Sequence, residues 1–314
     1  MGSRKTSALV EAGLLAALAA LFTLIGNYIP ILYALANFLW PVALILCGRR
    51  HGLKWSILCL IVASILIALL LNPLEALLKL VSVSLSGIVI GEGMRRQWSP
   101  VKIIIYGSIA TICSVLAGFV LSYVVMQINP LEELKMALDQ SMVLTKEIFT
   151  KLNMPQELQA QVELFPKMAM LILPASLVIG APFSAGIDYL LARKVLARLG
   201  DYYPALPGLS SWRMPKYFLV PYGLALAVLF VTNKEPDLLA YKIAVNVFYF
   251  MCVVLLVQAL AVIRWYVASR NKAKAWFFCS IFLIFTNPLV SQLAIILGAY
   301  DLVFDFKKRF PARK

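Results

Sequence analysis

A chain of 314 residues that is 62% hydrophobic and only 14% charged cannot give itself the wetted surface of a soluble domain, which runs nearer half apolar and a quarter charged. Its apolar residues fall in blocks that reach the roughly 20 needed to cross a bilayer, and this excludes a soluble enzyme, a disulfide-stapled secreted scaffold and a disordered chain. The net charge of +14, from 29 Lys and Arg against 15 Asp and Glu, belongs in the loops of a membrane protein, where basic residues collect on the cytoplasmic side.

The expected fold is all-α: a polytopic integral membrane helical bundle of about eight spans, then a C-terminal helical hairpin or a single tilted span. The start, Met1 to Thr6, resembles a signal-peptide n-region, with Ala34-Leu35-Ala36 as a cleavage motif. The apolar run over 8–29 is longer than a usual h-region, so a retained first span is expected. Gly2 and Thr6 also fit the myristoylation pattern, which is short enough to arise by chance. Further spans are expected at 34–48, 53–71, 73–93, 102–127, 167–192, 216–232 and 240–264, and a last apolar region at 275–303.

The basic residues set the orientation. With the N-terminus in the cytoplasm, Arg49, Arg50 and Lys54 follow the second span, and Arg95, Arg96 and Lys102 follow the fourth. Arg193, Lys194, Arg198, Arg213 and Lys216 follow the sixth, and Arg264, Arg270, Lys272 and Lys274 the eighth. All then lie inside, and the positive pI follows from topology rather than from nucleic-acid binding. The opposite side carries 129–166, with Glu132, Glu133, Asp139, Glu147, Glu157 and Glu163 against Lys135, Lys146 and Lys151. Leu131, Leu134, Leu138, Ile148, Phe149 and Leu152 recur there at mostly helical spacing, which predicts an amphipathic helix on the membrane or over the bundle; Pro155 then separates a second short helix ending near Phe165. In 275–303, Thr286-Asn287-Pro288 interrupts the helix. A hairpin there returns Lys307, Lys308, Arg309, Arg313 and Lys314, and with them the C-terminus, to the cytoplasm.

Three regions follow: a six-span domain over 1–200 with its insertion at 129–166, a cytoplasmic linker at 201–216 (DYYPALPGLSSWRMPK), and a back part at 217–314. Cys47, Cys59, Cys113, Cys252 and Cys279 lie in apolar blocks without a CxxC pair, and His51 is the one histidine. No Ser/His/Asp set, metal-ligand spacing or phosphate loop is present in the sequence, so neither an enzyme nor a cofactor is expected.

Ionisable side chains inside spans are costly and are therefore site candidates. Glu75 and Lys79 stand one turn apart after Asn72-Pro73, where they can neutralise each other or form a polar recognition point facing outward. Asn27, Tyr28 and Asn37 flank the turn between the first two spans and join this candidate ligand site if spans one, two and four adjoin. Asp188, near Arg193, is expected to form a structural ion pair. Ala12, Ala16 and Ala20 form a small-residue stripe, and Ser84, Gly87 and Gly91 another, suited to close helix contact within the bundle or with a partner.

Residues 1–200 resemble the six-span substrate-binding components of energy-coupling-factor transporters, on RKTSALVEAGLLAALAALFTLIGNYIP, PVALILCGRRHGLK and SGIVIGEGMRR. The resemblance implies that Ala12, Ala16 and Ala20 dock on a transmembrane coupling subunit. Over nearly its full length the chain is more similar to the YybS-type bacterial membrane proteins, through Trp212-Arg213-Met214-Pro215 and the run LGAYDLVFDFKKR from Leu297 to Arg309. Two functions compete. The first is a small-molecule-binding transporter or transporter component of the bacterial plasma membrane. The second is a non-transporting scaffold or regulator acting through helix contacts and basic loops. Membrane lipids, a coupling subunit and a small molecule are the expected partners, and nucleic acid is not.

Overall fold

A computed structural model describes residues 2–152, 155, 162, 164–232, 235–270 and 273–306, with side chains from Lys5 onward. Among them every regular element is a helix. The helices are α1 (Gly2–Tyr28), α2 (Tyr33–His51), α3 (Leu53–Leu70), α4 (Pro73–Ser82), α5 (Ser84–Arg95), α6 (Pro100–Val125) and α7 (Pro130–Lys151). They continue with α8 (Phe165–Leu171), α9 (Leu173–Arg198), α10 (Leu219–Thr232), α11 (Leu239–Ser269), α12 (Ala275–Thr286) and α13 (Pro288–Phe304). Six of these, α1, α2, α3, α6, α9 and α11, are long and apolar enough to cross a membrane, and there are up to eight spans if α4 with α5 and α12 with α13 each count as one. All nine apolar regions read from the sequence therefore correspond to helix.

Short local signals start these helices. Asn72, Ser99, Asn129 and Asn287 each precede a proline and accept a hydrogen bond from a backbone amide of the first turn. The polar cap satisfies an amide with no partner inside the helix, and proline at the first position has no amide to satisfy. Gly52, at φ +95°, supplies the left-handed geometry that turns α2 directly into α3.

The chain divides into two compact units. The first comprises Met1–Glu163 with Gly180–Ala205, and the second Leu164–Ile179 with Leu206–Lys314. The chain passes between them after Ala205, inside the 201–216 segment. It also does so within α9, whose first residues belong to the second unit. Asn246 accounts for that membership: its side chain accepts from the Ala175 amide at 2.9 Å and donates to the Leu171 carbonyl at 2.9 Å, fastening the α8–α9 junction to α11.

In the first unit the core joins α1, α2 and α3 through Ala12, Ala16, Trp40, Leu44, Cys59 and Ala63. Ala12, Ala16 and Ala20 are 2%, 0% and 1% exposed. Of the two contacts expected for this stripe, within the bundle or with a partner, the structure shows the one within the bundle. Alanines let the three helix backbones approach closely, and the contact they make is internal. The face of α1 that stays exposed carries Leu9, Leu14, Leu18 and Leu21 instead. Ala16→Leu should accordingly lower the thermal unfolding midpoint of the purified protein in detergent, by the equivalent of about 1–3 kcal/mol for an overpacked core. An unchanged midpoint would contradict the packing described.

α7 is the expected amphipathic helix, and none of its residues is buried. The second helix expected after Pro155, with Glu157 and Glu163, falls almost entirely outside the described residues, as do Lys272 and the basic residues Lys307, Lys308, Arg309, Arg313 and Lys314.

In the second unit α12 and α13 meet at Asn287 with a bend of 114°, so a straight single crossing at 275–303 does not occur. Buried Asp301 and Gln258 tie α13 to α11: Gln258 Nε2 donates to Asp301 Oδ2 at 2.6 Å, and Gln258 Oε1 accepts from the Met214 amide at 2.9 Å. The Phe306 amide donates to Asp301 Oδ1 at 2.9 Å. Three segments distant in sequence are thus closed by one pair of side chains. The Trp212-to-Pro215 run and the end of α13 share this contact.

Candidate functional site

The fourth span is broken. Val83 leaves helical geometry, with φ −127° and ψ −21°, and α4 and α5 meet there at 44°. Interrupted backbone at membrane depth survives only where its polar groups find partners within the protein. Here the serines provide them: Ser84 Oγ donates to the Lys79 carbonyl at 2.9 Å, and Ser86 Oγ to the Val83 carbonyl at 3.2 Å. Trp40 Nε1, from α2, donates to Ser84 Oγ at 3.3 Å. Below the break, Gly87 and Gly91 press α5 onto α2 so closely that an added Cβ would lie 2.9 Å from the Pro41 and Ile45 carbonyl oxygens respectively. The second small-residue stripe is therefore an internal contact too.

Above the break lies the polar group anticipated from the sequence, with different pairings. Lys79 Nζ donates to Asn37 Oδ1 on α2 and stands 5.4 Å from the centroid of the Tyr33 ring. No ion pair joins it to Glu75 among the described residues. The i,i+4 spacing permits that pair, but the long lysine stem also reaches the neighbouring helix, where an amide oxygen and an aromatic face compete for the cation. Glu75 is half-buried, and its amide donates to the Asn72 cap at 2.6 Å. Asn37, Lys79 and Tyr33 are thus brought together, with Glu75 one turn from the lysine. Asn27 and Tyr28 are not drawn in: both are exposed, Tyr28 by 74%, and among the described residues no hydrogen bond joins either to Asn37 or Lys79. The result is a half-buried cation, an amide and an aromatic ring at a helix break. It is suited to holding a polar group of a ligand by charge and hydrogen bonding.

At the other end of α2 a second polar cluster forms. Arg49 donates from Nε and Nη2 to the two carboxylate oxygens of Asp201, at 3.0 and 2.9 Å, and from Nη1 to the Met94 carbonyl at 3.2 Å. Tyr203 donates its hydroxyl to the Trp98 carbonyl at 2.7 Å, and burial pushes its phenol up from the ordinary value. Glu92 accepts from Arg95 and Arg96, each at 2.7 Å, and Glu11 pairs with Arg50 and, at 2.8 Å, with His51. Glu11, an acid inside the first apolar block, was not singled out from the sequence. Its basic partners lie 39 and 40 residues away, so only the fold brings them together. The expected ion pair of Asp188 does not form, because Arg193 Nε donates to the Tyr203 carbonyl instead, at 2.9 Å. Among the described residues no group of His, Cys, Asp or Glu side chains is arranged to hold a metal ion.

No solved structure matches this chain. It is 24% identical over 309 residues to the uncharacterized protein YybS of Bacillus subtilis (strain 168), covering 98% of this chain and 99% of that protein. The family model described as predicted membrane protein (DUF2232) matches residues 17–302, which run from the alanine-rich first helix to the Asp301 contact. A helical chain with several membrane-crossing helices, matched over nearly all of them, belongs to the DUF2232 membrane protein family.

Proposed function

We infer that the protein binds a small molecule at the Lys79–Asn37–Tyr33 cluster, and that it works as a transporter or transporter component in the bacterial plasma membrane. One observation carries this: a cation held beside a broken span, with an amide and an aromatic ring for neighbours. Discontinuous membrane helices of this kind are where transporters place their substrate sites. The distribution of Lys and Arg supports a site that faces outward, 129–166 outside, and both termini in the cytoplasm. The protein acts by binding rather than by chemical conversion, with membrane lipids as its surroundings and no nucleic-acid partner. ATP-driven transport would need other subunits, since no nucleotide motif is present in the sequence. A coupling subunit would meet a face other than the buried alanine stripe. The competing scaffold or regulator role loses that same stripe as a contact surface.

Accessibility tests the orientation. In a background with the native cysteines replaced, Ser141→Cys and Asn37→Cys should react with a membrane-impermeant maleimide on intact cells, and Ser210→Cys only after lysis. Labelling of Ser210→Cys alone on intact cells would overturn the outward-facing site.

A further inference from the structure

Asp188 lies on α9, within a segment long and apolar enough to cross a membrane, and is 1% exposed. Neither of its carboxylate oxygens has a hydrogen-bond partner among the described residues. Three other acids of the first unit are paired with basic side chains: Glu92 with Arg95 and Arg96, Glu11 with Arg50 and His51, and Asp201 with Arg49. Ala185 and Ala192, on the same side of α9, are fully buried. One turn from Asp188 the helix meets α6, where a Cβ added at Gly107 would lie 3.1 Å from the Ala185 Cβ and 3.0 Å from Ile90. The carboxyl is therefore enclosed by apolar, closely packed helix.

Several charged and titratable groups on the surrounding elements have partners other than Asp188. On α9 itself Arg193 serves the Tyr203 carbonyl, and Tyr189 donates its hydroxyl to the Pro204 carbonyl at 2.5 Å. On α5 Glu92 is held by its two arginines, and on α6 Lys102 Nζ sits 4.7 Å from the Trp98 ring centroid and 5.8 Å from that of Tyr106. In the 200–205 segment Asp201 is clamped by Arg49, and Tyr203 donates to Trp98. Among the described residues no cation stands within ion-pair distance of Asp188.

An ionised carboxylate with neither cation nor hydrogen-bond donor from the protein is costly in such surroundings, whereas a neutral carboxylic acid is tolerated. As a packing element the acid is inferior to an apolar side chain of similar size. Its one chemical advantage is a proton that it can take up and give away. We propose that Asp188 is a proton-binding site. In this conformation it is the neutral acid. When the inner end of α9 admits water, the O–H bond breaks, the proton passes to that water as hydronium, and the bonding pair stays on the carboxylate. The site does not depend on a ligand at Lys79, so the two proposals stand or fall separately.

The test is infrared difference spectroscopy of the full-length protein in nanodiscs, titrated in pH, with Asp188→Asn alongside. The wild type should show a protonated-carboxyl carbonyl band at neutral pH that vanishes reversibly on alkalinisation and is missing from Asp188→Asn. Three results overturn the proposal: no band that depends on Asp188, a band that persists at every pH at which the protein stays folded, or a band removed by sodium or potassium at constant pH. Should Asp188→Asn fail to fold, modification of the wild type with dicyclohexylcarbodiimide, which attacks protonated carboxyls, decides instead. A mass-mapped adduct on Asp188 that forms more slowly as pH rises supports the site, and no adduct at any pH overturns it.

Discussion

Gly298→Ala should destabilise the protein by about 3 kcal/mol, the upper end of what overpacking costs. A Cβ built at Gly298 overlaps the Leu255 carbonyl oxygen and reaches within 3.3 Å of the Ala259 amide nitrogen. Both are backbone of α11, so no side chain can turn aside to make room. The helices must part instead. Parting stretches the Gln258–Asp301 contact about one turn away and opens the small core of Ala259, Ile284 and Ala294. Gly223→Ala is the control, because nothing lies within 4 Å of a Cβ there. Alanine's higher helix propensity, up to about 1 kcal/mol over glycine, should leave that variant as stable as the wild type or more so. Thermal unfolding of both in the same detergent separates the cases. Equal midpoints would mean that α11 and α13 are not in contact at Gly298.

The helices were legible because bilayer-length apolar blocks leave little ambiguity, and because Asn-Pro and Ser-Pro pairs mark helix starts by a local mechanism. The break at Asn287 was legible for the same reason. The break at Val83 was not: Ser82, Val83 and Ser84 carry no proline or glycine, and the kink is sustained by Trp40, which lies 44 residues from Ser84. The alanine stripe on α1 announced a close helix contact. Whether the contacting helix belonged to this chain or to another depended on how α2 and α3 fold back, which spacing along α1 does not encode. Lys79 shows the same limit at a single residue. Glu75, four residues earlier, was the visible partner, but Asn37, 42 positions away, holds the cation. The Arg49–Asp201 clamp spans 152 residues and could not be paired from sequence, because several basic residues of the loops were equally available to the one acid of 201–216. Asp188 was visible as an intramembrane acid, and its nearby arginine suggested an ion pair that the fold gives to a carbonyl.

Lys79→Met should abolish ligand binding while costing little stability. The methionine keeps most of the stem's volume and its packing against Tyr33, and removes only the charge and the bond to Asn37. A single hydrogen bond to a charged group contributes about 1.5–3 kcal/mol in a buried setting. Half-buried Lys79 and Asn37 should lose less, because water replaces the donor. Had Lys79 served only to neutralise Glu75, its loss would strand a carboxylate and destabilise the protein, and a second change, Glu75→Gln, would restore it. With Lys79 bonded to Asn37, Glu75→Gln should give no such rescue. Lys79→Arg keeps the charge but not the compact ammonium geometry, and should weaken binding rather than abolish it.

Native mass spectrometry of the protein released from its own membranes addresses the central claim most directly. The wild type should carry a small-molecule adduct, displaced on mild activation, that is missing from Lys79→Met and reduced in Asn37→Ala, with all three proteins equally folded by thermal unfolding. An adduct of the same mass and occupancy on Lys79→Met, or bare protein in every case, would contradict a ligand site at the broken span.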